Sequence, residues 1–404
     1  MKNISKCLAF AALAPCAALS QGLYSIAPAD DEASDSLPLK WTVGANLGFD
    51  DNPTPLSNSD DESLYASAFV QANMVSVSPQ TTWDLMARVG GLYYIDGLDG
   101  SNADDFSPNA SLGLNVTHRV SERLRLSSRN LLSFEREPDY SYGLSSDRAV
   151  GNYFRYTTDN SVGYRWSERF ATITGVVFSG VAYEDLDRSD YNRIQFYNQF
   201  RYRATPATVY TAEYRYAMTD HDTSGDATSH YILGGVEHRI SAASAIILRA
   251  GAQLSERDGG DSKTQPFVEG VLKSQMTEQL GVQAFVRYST EDWSRSIRDG
   301  SGSVSVYDSN QTLRFGLKAS YALNPRLTLF GGANVIFRDY EDEVVGTFGE
   351  GSETLYNLNA GASFQVQDNL FLTGSYNFTT SDSDFGGSRE YDRNRVQVGV
   401  QATF

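Results

Sequence analysis

Four histidines and two cysteines are all that this 404-residue chain offers to zinc, thiol or imidazole chemistry. Both cysteines, Cys7 and Cys16, stand in the first 20 residues. A hydrolase needs a nucleophile and a base that meet in space. The one suggestive cluster is Asp220-His221-Asp222, a polar triplet of the kind any water-exposed loop contains. His118 and His238 fall near expected turns at the other end of the strands. No catalytic residue is assigned, and no cofactor is expected. Hard oxygen ligands of the kind calcium prefers occur at Asp50-Asp51-Asn52, at Asp185 with Asp187 and at Asp382 with Asp384. None completes an EF-hand loop, so no metal site is assigned. A net charge of -17 argues against nucleic acid as a partner, because that binding rests on Lys and Arg neutralising phosphates. What remains is electrostatics: arginines spaced so that one face of an element carries them.

The elements that would hold those arginines follow an export signal. Lys2 and Lys6 form a basic start, an apolar stretch runs from Cys7 to Leu19, and small residues Ala18 and Ser20 suit cleavage near residue 20. Residues 1–20 read as a signal peptide, and 21–40 as a short polar periplasmic segment. From Trp41 onward the hydrophobic period is two. Trp41, Val43, Ala45, Leu47 and Phe49 alternate with Thr42, Gly44, Asn46 and Gly48, and Leu313, Phe315, Leu317, Ala319 and Tyr321 repeat the pattern. These segments are long for soluble strands and suit tilted membrane strands.

The connections alternate as well. Eight tight turns, among them Ser121-Glu122-Arg123, Ser167-Glu168-Arg169 and Asn324-Pro325-Arg326, separate nine longer segments at 50–62, 96–107, 136–150, 184–190, 220–229, 258–264, 293–307, 339–353 and 382–392. The expected fold is all-β: a transmembrane antiparallel up-and-down barrel of about 18 strands over residues 41–404, with short periplasmic turns and long external loops. In hydrocarbon each unpaired backbone group costs several kcal/mol, so such a sheet must close on itself. Trp41, Trp83 and Trp166 are expected in a periplasmic aromatic girdle. Tyr153, Tyr183, Tyr191, Trp293, Tyr340 and Tyr391 are expected in an external one. The final strand alternates Val396, Val398, Val400, Ala402 and Phe404 with polar residues and stops on the aromatic. Val400, Ala402 and Phe404 resemble the C-terminal signal that outer-membrane barrels present to their assembly machinery.

The segment Gly44-Ala45-Asn46-Leu47-Gly48-Phe49-Asp50-Asp51-Asn52, a first strand running into an acidic loop, together with the repeat to Phe404, resembles the beta-barrel porin 2 family of bacterial outer-membrane proteins. The resemblance implies an outer-membrane location and a pore. It carries no catalytic residues to transfer.

With the apolar face assigned to lipid, the opposite face lists the pore lining. It holds Arg88, Arg129, Arg165, Arg193, Arg201, Arg215, Arg249, Arg287, Arg314, Lys318 and Arg395, against the acids Asp84, Asp159, Glu213, Glu237, Glu269 and Glu291. Arginine on the lipid face would cost about 2 to 4 kcal/mol at mid-membrane. Some of these charges must pair along the wall, but six acids leave a basic excess. The long segments are strongly acidic, with Asp60-Asp61-Glu62 and Glu341-Asp342-Glu343 the densest runs. The 136–150 segment is expected to stay outside, which leaves the basic wall dominant and the pore anion-preferring. Folded inward, its Glu137 and Asp139 would face Arg193, Arg201 or Arg215 across a narrowed lumen, giving a transverse field and weak selectivity.

The expected function is passive diffusion of small hydrophilic solutes or ions. Oligosaccharide or exopolysaccharide passage stays open, because inward aromatics such as Tyr94, Tyr197 and Phe330 could stack on sugars. A non-transporting surface barrel stays open too, and so does the oligomeric state. Expected partners are outer-membrane lipid, lipopolysaccharide, the barrel assembly machinery and small solutes.

Overall fold

The computed structural model describes residues 36–55, 62–98, 105–140, 150–184, 190–222, 225–258, 262–291, 296–298, 304–346, 349–385 and 389–404, with the backbone alone for 296–298, 304, 308, 309 and 342–345. The expected signal and residues 21–35 lie outside them.

The described chain forms β1 (Leu37–Asp50), β2 (Ser63–Val77), β3 (Thr81–Tyr94), β4 (Phe106–Arg119), β5 (Leu124–Glu135), β6 (Tyr153–Arg165), β7 (Phe170–Tyr183), β8 (Tyr191–Thr205), β9 (Thr208–His221) and β10 (Ala227–Ser241). It continues through β11 (Ser244–Arg257), β12 (Lys263–Gln275), β13 (Leu280–Thr290), β14 (Ser296–Arg298), β15 (Val304–Asn324), β16 (Leu327–Val345), β17 (Gly351–Gln367), β18 (Leu370–Ser383) and β19 (Tyr391–Thr403). Eighteen of these build the wall. The short β14 pairs with Val304–Val306, beyond the stretch of β15 that β13 occupies.

Each wall strand pairs antiparallel with its neighbours in sequence, and β1 pairs with β19 from Thr42–Thr403 to Asp50–Arg395. Trp41 and Phe404 complete the seam by exchanging N–H···O bonds of 3.1 and 2.8 Å. The sheet has no edge, as a lipid environment requires. β1 begins at Leu37, four residues ahead of the expected start at Trp41. Leu37 and Lys40 already pair with Val75 and Asn73 across a bulge.

Alternation decides which side each residue takes. On β1, Trp41, Val43, Leu47 and Phe49 are exposed on the outer face. Gly44 and Gly48 lie inside, opposite Phe69 and Tyr65 of β2. A Cβ on either glycine would overlap the facing ring, so the two glycines are what lets those aromatics lie against the inner wall.

Trp41, Trp83 and Trp166 are exposed on the outer face. The external girdle is different from expectation. Tyr153, Tyr191, Tyr340 and Tyr391 are buried, and Tyr183 packs on Tyr153 with ring centroids 6.1 Å apart. The reason is parity: Tyr153, Tyr191 and Tyr391 stand two residues from the inward Arg155, Arg193 and Arg393, so they share the inner face. Trp293 lies outside the described residues. The outward rings nearest that end are Tyr93, Phe106 and Phe154.

Two expected loops also change. Much of 293–307 and 339–353 is strand, because β15 starts at Val304, β16 runs to Val345 and β17 starts at Gly351. Polarity there reports contact with water; it does not prevent the backbone ladder from continuing above the membrane.

Candidate pore constriction and its charged wall

The inner face carries the expected arginines in register. Arg88 stands opposite Gln71, Arg129 opposite Asp159, Arg165 opposite the buried Ala171, and Arg193 opposite Ser179 and Thr219. Arg201 stands opposite Thr211, Arg215 opposite Tyr231, Arg249 opposite Glu269, Arg287 opposite Arg314, and Lys318 opposite Gln283. Much of this charge is paired. Arg201 meets Glu237 at 2.5 Å and donates to Gln199 at 2.6 Å; Gln199 in turn donates to Glu213 at 2.9 Å. Arg215 meets Glu213 at 2.6 Å, Arg249 meets Glu269 at 2.6 Å, and Arg129 and Asp159 are 3.6 Å apart. Arg314 and Glu291 are 3.9 Å apart. Because period two sets i and i+2 on one face, the pairs from Arg201 to Arg314 form a ladder along β8–β15 that stiffens the wall, with Arg129 and Asp159 as a separate pair on β5 and β6. Arg88 lies over the Phe69 ring at 3.9 Å with the Glu135 carboxylate in its neighbourhood, and Arg287 lies over Phe267 at 5.5 Å.

The segment after β5 turns into the lumen, contrary to the expectation that it stays outside. Residues 136–140 lead from the end of β5 to the opposite wall. The Arg136 guanidinium sits 5.6 Å from the Tyr94 ring. Glu137 takes two hydrogen bonds from Arg393, at 2.8 and 3.0 Å, and lies 3.2 Å from Arg395. Its backbone carbonyl accepts from the Tyr153 hydroxyl at 2.8 Å. Tyr140 is buried against Ile336 and Leu355, and its carbonyl accepts from Arg314 at 3.3 Å. β5 and β15 stand nine strands apart in either direction round the 18-strand wall, so the segment crosses the full lumen. The Glu137 carboxylate therefore meets Arg393 and Arg395 of β19 and Asp139 lies near Arg155 and Arg314, in place of the expected Arg193, Arg201 or Arg215. Residues 141–149 lie outside the described residues.

Both arginines also hold Asp50, the last residue of β1. Arg393 donates to it at 3.0 and 2.6 Å, Arg395 lies at 3.1 Å, and the Tyr94 hydroxyl donates at 3.2 Å. Asp50 is fully buried. Two carboxylates and two guanidiniums thus clasp the seam and the inward segment together. Burial alone would raise the Glu137 carboxyl; Arg393 and Arg395 override it and hold it down at about 2. Sequence reasoning placed Arg395 on the inner face but missed Arg393, Asp50 and Tyr140. The available signal was Arg393-x-Arg395, whose spacing aligns with Asp50 once the two end strands are paired.

The other candidate chemistry disperses. His221 is buried beside Tyr191, 5.9 Å between rings, while Asp220 and Asp222 are exposed. His118 and His238 each pair with a threonine of the next strand, Thr81 and Thr208. Asp51 accepts from the backbone and side-chain N–H groups of Asn394 at 2.6 Å. Asp384 accepts from the N–H and hydroxyl of Ser352 at 2.7 and 2.8 Å, which hold its carboxyl below the usual range. Asp185 and Asp187 lie outside the described residues. Among the described residues no three His, Cys, Asp or Glu are grouped to hold a metal ion.

An edgeless sheet with an apolar outer belt and an arginine-lined interior defines a transmembrane β-barrel. A family model for the outer membrane protein beta-barrel domain matches residues 241–404. The belt and this match place the chain in the bacterial outer membrane. Among similar solved structures are OccAB4 of Acinetobacter baumannii, 13% identical over 92% of this chain and 99% of that one, with TM-score 0.46, and the outer membrane protein OpdK of Pseudomonas aeruginosa, 11% identical over 91% and 99%, with TM-score 0.47. A third is OccK2 (OpdF) of Pseudomonas aeruginosa, 11% identical over 91% and 98%, with TM-score 0.49. No curated protein matches the chain in sequence.

Proposed function

We propose that this barrel is a non-catalytic, porin-like channel for passive diffusion of small hydrophilic solutes or ions, with a preference for anions. The observation that carries the reading is the 18-strand closure around a lumen narrowed by the 136–140 segment. Barrels of 16 to 18 strands leave an aqueous path that side chains of the wall alone do not fill. The sign rests on the excess of basic over acidic residues read on the inner face, because the ladder pairs themselves are close to neutral. Of the two acids in the constriction, Glu137 is held by Arg393 and Arg395 and Asp139 lies near Arg155 and Arg314, so neither stands against Arg287 across the lumen. The Gly44–Asn52 segment, as β1 and its acidic rim, supports the resemblance to the beta-barrel porin 2 family.

Reversal potentials across a KCl gradient in a planar bilayer test this. The expected sign is a modest anion preference, stronger at low salt, where wall charges up to about 10 Å from the ion act unscreened. Arg193→Gln with Arg287→Gln should weaken it. Absence of conductance, or a clear cation preference, overturns the proposal. Sugar stacking finds less support: Tyr94 donates to Asp50 and Tyr197 donates to Asp159 at 2.8 Å, both rings buried in the wall, which leaves Phe330 as the exposed ring of the three.

Delivery to the membrane is read at the other end. Phe404 is exposed on the outer face beside the seam. Phe404→Asp should lower the outer-membrane level of folded, heat-resistant protein several-fold, by removing the terminal aromatic from recognition by the assembly machinery. Equal folded levels in the two strains would reject that role.

A further inference from the structure

Six mid-strand residues on the outer face are polar, and they are confined to one sector. Ser128 and Asn130 of β5 and Thr158 and Asn160 of β6 alternate with the inward Arg129 and Asp159. They close a ring of four hydrogen bonds: Ser128 donates to Asn160 at 2.7 Å, Asn160 to Thr158 at 2.9 Å, Thr158 to Asn130 at 2.7 Å and Asn130 to Ser128 at 3.1 Å. On the next two strands Asn198 donates to Thr174 at 2.6 Å. On the other described wall strands outward polar side chains such as His230, Gln311, Asp339 and Asn394 lie toward the external side, and the positions between there and the short turns carry mainly apolar residues, glycine or tyrosine.

These groups are not fully satisfied. Asn160 is exposed and uses one N–H in the ring. The exposed Thr174 hydroxyl accepts from Asn198 and its own O–H meets no acceptor, whereas the unpartnered Asn198 side-chain carbonyl is buried and out of a neighbour's reach. Carboxamides facing acyl chains at mid-membrane are costly, because hydrocarbon offers them nothing. An uncovered patch of this kind would be an anomaly on a wall that is mainly apolar elsewhere at that depth.

We infer that the outer face of β5–β8 is the contact surface for a second copy of this chain. The patch spans three inter-strand spacings, about 14 Å. Asn, Ser and Thr each donate and accept, so the patch is complementary to itself. Every other sector would offer it a mainly apolar mate at that depth and leave its polar groups unmet. That points to a two-fold arrangement in which β5–β8 of one protomer meets β5–β8 of its partner.

Crosslinking of the full chain in membranes tests this. Cys7 and Cys16 are its only cysteines, and the parent sets the background. Asn160→Cys should give a covalent dimer with a short bis-maleimide. Val335→Cys, on the outer face of β16, should not. Asn130→Leu with Asn160→Leu should keep the heat-resistant folded form and lower the dimer fraction about tenfold, since leucine is content in lipid. Equal crosslinking at positions 160 and 335, or native mass spectra holding only monomer with bound lipid, would overturn the inference.

Discussion

A chain carrying Glu137→Ala and Tyr140→Ala is expected to conduct roughly twofold more current per channel than the parent, with a wider spread of open levels, because the bar across an otherwise wide lumen is unfastened. Glu137 contributes the pairs to Arg393 and Arg395, and Tyr140 contributes the contact with Ile336 and Leu355. Without them the segment keeps the backbone bonds from Tyr153 and Arg314 and the Arg136 contacts with Tyr94 and the Pro53 carbonyl. The wall strands lose none of their own bonds, so circular dichroism should be unchanged. A folded double variant with the parent's conductance would show that 136–140 does not limit flow. The parent itself should hold its constriction through mild acid. The Glu137 carboxyl is depressed to about 2, so its pairing is complete above the ordinary carboxylate range. It is lost only as pH falls through about 2. Conductance that rises between pH 6 and pH 4 would place the gating charge elsewhere.

Arg393→Met should be the most destabilising single change at the seam, by about 3 kcal/mol, the lower end for breaking a buried pair. Asp50 is 0% exposed and would lose both Arg393 bonds, keeping Arg395 at 3.1 Å and the Tyr94 hydroxyl. Glu137 would lose two charge-assisted bonds at the same time. Urea unfolding in detergent, followed by tryptophan fluorescence, reads the loss as a lower midpoint. Asp50→Asn in the Arg393→Met background should return part of it, since the uncompensated charge is then gone. The cycle should be non-additive by about 1 to 3 kcal/mol. Additive single changes would mean that the two residues are neighbours without being partners.

Strand identity and side were legible residue by residue. Trp41, Val43, Leu47 and Phe49 declare the outer face of β1, and that parity carries Arg88, Arg129 and Arg215 to the inner one. The short turn at Ser121-Glu122-Arg123 and its seven counterparts declare the hairpins. The same parity governs the tyrosines: Tyr153 and Arg155 share the inner face, because period two decides the side and nearness to a strand end does not. The acidity of Glu341 concealed the upward extension of β16, because charge reports solvent and is silent about backbone pairing.

Alternation and turn spacing are local properties, set within one strand or one hairpin. They therefore point to the class of fold, to about 18 strands and to a face that carries Arg88, Arg129 and Arg215, though not to Arg393. The constriction depended on a contact between Glu137 and Arg393, 256 residues apart. No period links such positions. They meet because closure of the last strand on the first brings Arg393 beside Asp50, and because buried guanidiniums draw in the nearest carboxylate that chain geometry allows. Which wall the 136–140 segment would cross to, and hence which arginines stay free to act on a solute, was decided only when the cylinder closed.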